Sequence, residues 1–87
     1  MRSSLVPRRV PQFYFHLFND FTNHDDEGAQ LPNAAAAMQE AARMTREMAA
    51  ESVREGRLVL GHRIEVTNAV GATVGTVHFG DVVEVTA

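Results

Sequence analysis

Cysteine is missing from the 87 residues, which excludes a disulfide framework and a thiolate zinc site and suits a reducing compartment. Lysine is missing too: all eight basic side chains are arginines, against eleven acidic ones, for a net charge of −3. That balance is a poor footprint for gripping a phosphate backbone and argues against nucleic acid as a partner. No apolar run approaches the ~20 residues of a membrane span, and the N-terminus lacks the apolar core of a signal peptide, so a cytoplasmic chain with no membrane partner is expected. There is no internal repeat, and no low-complexity tract beyond the alanines at 34 to 37. A chain of this length makes one domain with a core of its own and little stability to spare, which makes association an expected source of more.

What is present centres on one long helix, from Asn33 to Glu55 ahead of Gly56. Asn33 is a favoured N-cap, because its side-chain oxygen can accept from the free amides of the first turn, and Pro32 keeps the entering chain extended. The run that follows has no Gly or Pro and only one β-branched residue, Thr45, before Val53. Its helix propensity is therefore high throughout. At 100° per residue Glu40, Arg43, Glu47, Glu51 and Arg54 share a wet side, while Ala37, Met38, Ala41, Met44, Thr45 and Met48 share a dry one, with Ala34, Ala49 and Ser52. The small residues at its centre let the backbone approach a sheet, with methionines on the flanks as core. Gly56 is the expected residue to close the helix in the left-handed region.

The remaining apolar sequence has strand character. Residues 1–11 are basic and aperiodic and are expected to form a flexible arm. Within it Ser4-Leu5-Val6-Pro7-Arg8 matches part of a thrombin recognition sequence and is set aside, and Arg2, Arg8 and Arg9 read as solvated charges. The single domain spans 12–87. Gln12 to Asn19 forms the first strand, with Phe13, Phe15 and Leu17 on one face and Tyr14, His16 and Phe18 on the other. A strand apolar on both faces belongs inside its sheet, with something over its second face. Asp20 to Gly28 is an acidic loop, anchored by Phe21, and Ala29 to Leu31 a short strand pairing with the first. After the helix, Leu58 to Thr67 gives a third strand, with a bend at Gly61-His62 and with Ile64 and Val66 on the buried face. Asn68-Ala69-Val70-Gly71 has the form of a three-residue hairpin turn. Ala72 to Phe79 is the fourth strand, and Val82 to Val85 an apolar tail tucked onto the sheet edge. The expected order is β-β-α-β-β, an α+β two-layer fold with one long helix packed on a single antiparallel sheet of about four strands.

Phe13-Tyr14-Phe15-His16, then Asp26-Glu27-Gly28 followed by Leu31-Pro32-Asn33, an Ala-rich helix, Gly56-Arg57 and Ile64-Glu65-Val66-Thr67 together resemble a family of short bacterial proteins classed only as a domain of unknown function. The resemblance runs from about Pro11 to Val85. Asn33 stands where Asp is commoner, and the acidic loop is longer and carries Asn23-His24. The resemblance implies a fold and no catalytic residue.

The residues themselves offer few sites. Asn23 to Gly28 begins like a calcium loop, but the twelfth position is Ala34 rather than a bidentate Glu, and Pro32 intervenes, so an acidic solvated loop is the better reading. His16, His24, His62 and His78 match no zinc spacing. No catalytic, cofactor-binding or metal residues are therefore assigned, and no cofactor is expected. His16, in an apolar strand, must find a hydrogen-bond partner or suffer desolvation. One helix covers one sheet face, which leaves Tyr14, His16 and Phe18 as a candidate interaction surface on an apolar patch of some hundreds of Å², near the limit for monomers. The preferred function is a non-catalytic protein-interaction module that self-associates as a homodimer or meets another protein. The runner-up is a nucleic-acid-linked regulator of antitoxin-like type, by fold-level analogy, and the third reading is a small enzyme of unknown reaction.

Overall fold

The capping residues set the ends of the helix. In the computed structural model, which describes residues 10–87, α1 runs Ala34–Arg54. The Asn33 side-chain oxygen accepts from the Ala36 amide at 2.8 Å. At the other end Gly56 takes φ +92°, and the amides of Gly56 and Arg57 donate to the carbonyls of Val53 and Ser52. Ala37, Ala41, Thr45 and Ala49 are completely buried. The Thr45 hydroxyl donates to the Ala41 carbonyl at 2.6 Å, so its polar group is satisfied within the helix. Met38, Met44 and Met48 are half-buried on the two flanks, while Ala34 is exposed, because the buried stripe begins a turn later. Residues 1–9 of the expected arm, with the readings of Arg2, Ser4 to Arg8 and Arg9, lie outside the described residues; of its last two, Val10 is exposed, while the Pro11 carbonyl accepts the Leu31 amide at 3.1 Å and is tied to the sheet.

The fold is α+β, with the long helix on one antiparallel sheet. Its strands are β1 (Gln12–Phe18), β2 (Thr22–Asn23), β3 (Ala29–Gln30), β4 (Arg63–Asn68) and β5 (Thr73–His78), in the order β2-β1-β4-β5 with β3 also on β1. β1 pairs with β4 from Phe13↔Asn68 to Phe18↔Arg63. The helix covers the face carrying Phe13, Phe15, Ile64, Val66 and Val77, all buried.

Four details depart from the expected elements. β2 is an addition, two residues long and held by its pairing to Leu17 and Phe18. Leu58 to His62 is a turn rather than strand, because its carbonyls are taken by amides outside any ladder: Leu60 accepts from Gly80 and His62 from Phe79. Phe79 leaves the sheet to start a single-turn helix, α2 (Phe79–Val82), with its ring buried and the Asp81 carboxylate accepting the His78 amide at 2.8 Å. Of the expected tail, Val82 packs on the core while Val85 is exposed; Phe21, expected to anchor its loop, is 77% exposed.

The β4–β5 hairpin closes as its residues dictate. The Asn68 side-chain oxygen accepts from the amides of Val70 and Ala72, and Gly71 takes φ +84°. A Cβ on Gly71 would meet nothing within 4 Å, so a substitution there acts through the backbone alone. Gly71→Val is expected to cost about 1 kcal/mol or more, read as a lowered melting temperature, because a β-branched residue resists positive φ.

Candidate functional site

Strand alternation sends Tyr14, His16 and Phe18 to the sheet face away from α1, where all three are half-buried. Register sets their neighbours. Tyr14 stands opposite Thr67, His16 opposite Glu65 and Phe18 opposite Arg63, with Thr76 and His78 of β5 next in the last two rows. The face is therefore an aromatic column bordered by polar columns. The continuous apolar patch expected from the sequence is absent, because the aliphatic residues of β4, Ile64 and Val66, turn to the helix. Among the described residues no helix or strand crosses this face.

Its side chains are fixed by one another. The Arg63 guanidinium lies 4.4 Å from the centre of the Phe18 ring and donates through Nε to Glu65 at 3.0 Å, a cation–π contact oriented by an ion pair. His16 has two partners. Its Nδ1 accepts the Asp25 backbone N–H at 3.1 Å, and its Nε2 lies 3.0 Å from the Thr67 hydroxyl oxygen. An amide can only donate, so Nδ1 is the acceptor, and in the neutral ring Nε2 carries the hydrogen. The requirement that this imidazole find partners is met on both nitrogens. The Tyr14 ring lies nearly parallel to it, 6.4 Å between centres, and His24 meets it edge-on at 5.3 Å.

The residue that organises this edge, and that sequence reasoning passed over, is Asp25. β2 and β3 cover the two ends of β1's outer edge and leave its middle open. There the Phe15 amide donates to Asp25 Oδ2 at 3.0 Å, while Oδ1 accepts the amides of Glu27 and Gly28, both at 3.1 Å. Burial pushes this carboxyl up, but the amides of Gly28, Phe15 and Glu27 and the nearby His16 outweigh it and hold its pKa below the usual carboxylate value. Both oxygens of this carboxylate thus serve the chain's own amides. A sequence signal existed in the Asp25-x-x-Gly28 spacing, typical of a side chain that caps its own turn.

A concavity of about 280 Å³ opens where the end of α1 meets the turns around residues 20 and 60. Leu17, Met48 and Phe79 line its apolar part, and Asp20, Ser52, Arg57 and His62 its polar part. Arg57 grips Asp20 with both terminal nitrogens, at 2.8 and 3.3 Å, and this bond lowers the Asp20 pKa. His62 Nε2 stands 3.6 Å from Asp20, beyond hydrogen-bond reach, with its ring edge-on to Phe79. Asp20 thus spends its hydrogen bonds on Arg57, with His62 beside the pair. The pairing of positions 20 and 57 was not readable from spacing.

No helix among the described residues is long and apolar enough to cross a membrane. A family model described as a domain of unknown function (DUF6894) matches residues 12–80, from β1 into α2. No curated protein and no solved structure matches the chain.

Proposed function

Because the chain belongs to the DUF6894 family, for which no activity is stated, we propose a function from the surface alone: a non-catalytic protein-interaction module that self-associates and presents Tyr14, His16 and Phe18 to a protein partner. The observation that carries this reading is the pre-ordered aromatic face. Its rings are already held, His16 by two hydrogen bonds and Phe18 under Arg63, so a partner docking there immobilises little that was free. Aromatic and arginine side chains of this kind are the usual anchors of protein interfaces. Sedimentation equilibrium at micromolar concentration tests the self-association. A mass above that of the monomer is expected, and a monomer at every concentration would remove that half of the proposal.

The runner-up, a nucleic-acid-linked regulator of antitoxin-like type, draws on the same face, since Arg63 over Phe18 beside Tyr14 offers stacking surfaces to bases. The acidic balance of the chain counts against it. Micromolar, salt-dependent binding of labelled single- or double-stranded oligonucleotides at low salt would put it first.

A further inference from the structure

The two edges of the sheet are treated differently. The β1 edge is closed by β2, by β3 and by Asp25 between them. At the other edge, among the described residues, β5 pairs only with β4. Its sequence, Thr73-Val74-Gly75-Thr76-Val77-His78, has no Lys, Pro, Asp or Glu, the residues by which edge strands resist pairing with another chain. Thr67 pairs with Thr73 and Val66 with Gly75, so Val74 is an extra, bulged residue that guards only the start of the strand, which is regular and open from Gly75 to His78.

A separate observation comes from the helix above. Met38 marks its β5 side, since a Cβ built on Gly75 would lie 2.7 Å from the Met38 methyl carbon. Met48 marks its β1 side, sharing the cleft with Leu17. At 100° per residue the positions beyond Met38, away from β1, are Ala42, Ala35 and Val53, with Arg46 at their border. Ala35 is exposed, Ala42 half-buried and Val53 57% exposed. The ion pairs of Arg43 with Glu40 and Glu47 occupy the opposite, wet side. The flank overhanging the open edge is small and apolar.

We infer that two copies of this chain join β5 to β5, antiparallel, about a two-fold axis normal to the sheet, so that two five-stranded sheets become one and the Ala35–Ala42–Val53 flanks of the two helices meet above the junction. The dimensions agree. Adjacent strands lie ~4.8 Å apart, and α1 lies over both β4 and β5. Rotating that offset about the axis puts the two helix axes about 10 Å apart, at the outer end of the spacing for packed helices. An antiparallel strand pair is also self-complementary, so one row of backbone groups serves both copies. The occupant of the edge is thus a second copy of this chain. The joined sheet keeps both Tyr14–His16–Phe18 faces free and on the same side, giving two partner sites per dimer. The inference rests on the self-association proposed above and locates its interface.

Sedimentation equilibrium on the full chain and on Ala42→Asp, Val53→Asp and Phe18→Ser, each checked by circular dichroism for native structure, tests it. The wild type is expected to dimerise. Ala42→Asp and Val53→Asp place a charge on each of two flanks that face one another, and should raise the dimer Kd by about tenfold or more. Phe18→Ser should leave it unchanged, and amide exchange in β5 should slow as protein concentration rises. If Ala42→Asp does not fold, Val53→Asp, at the more exposed position, decides. A dimer weakened by Phe18→Ser and indifferent to both helix variants would overturn the β5 interface while self-association stood. A chain monomeric throughout would overturn both.

Discussion

Gly28→Val is expected to destabilise the domain by about 3 kcal/mol or more and to lower its melting temperature by about 10–20 °C. Two costs combine. Gly28 has φ +70°, where a β-branched residue is strained. A Cβ there would also stand 2.6 Å from the Phe13 carbonyl oxygen and 2.9 Å from two carbons of the Tyr14 ring. The first neighbour is backbone held in the β1–β3 pairing, where Phe13 stands opposite Ala29, so it cannot yield without opening the ladder. Gly56→Val is the control: φ is +92°, but the added Cβ meets nothing within 4 Å, so only the backbone cost remains. Thermal melts separate the two. Equal losses would mean that the loop does not seat against Tyr14 as described.

Asp25→Ala is expected to cost about 2–4 kcal/mol, less than three charge-assisted hydrogen bonds would suggest because the carboxylate is partly exposed. The change strips acceptors from the amides of Phe15, Glu27 and Gly28. The Phe15 amide suffers most, lying mid-strand between β2 and β3 with no neighbouring carbonyl to replace the carboxylate. The pH dependence has a definite sign. Since the folded-state pKa of Asp25 is lowered from 3.8, its contribution is fully present above that value and disappears as pH falls through the lower folded value. Urea titrations from pH 6 downward should therefore show wild type and Asp25→Ala converging in stability at the acid end. A constant gap between them would mean that the carboxylate is not what holds the loop.

Both substitutions fall in a segment that reads from the sequence as an acidic loop, its one structural signal being the Asp25-x-x-Gly28 spacing. Elements whose causes are local were legible: Asn33 and Gly56 bracket the helix, Gly71 closes the hairpin, and Ala37, Ala41 and Thr45 face the sheet because a period of 3.6 puts them there. Alternation likewise placed Tyr14, His16 and Phe18 together. Elements held by distant partners were not legible. Thr22 and Asn23 are a strand only because Leu17 and Phe18 stand beside them. Leu58 to His62 has the composition of a strand, but meets turn amides from Phe79 and Gly80 instead of a ladder. Asp20 and Arg57 come together across 37 positions, and no local rule pairs them. The polar borders of the aromatic face follow from strand register, which hydrophobic pattern alone does not fix at the level of individual neighbours.

The covered edge of β1 also bears on the order in which the chain is made. β1 leaves the ribosome first, while its main partner, β4, begins at Arg63. At ~5–20 residues per second, the intervening ~50 residues leave the segment from Gln12 to Phe18 waiting several seconds with aromatic side chains on both faces, the kind of segment that aggregates when left unpaired. β2 and β3 follow within a dozen or so residues, and Asp25 lies between them. They can form hairpins with β1 on the microsecond scale, long before β4 exists. A loop that guards the nascent strand in this way predicts that variants at Gly28 and Asp25 lower soluble yield during synthesis by more than their equilibrium destabilisation alone would suggest.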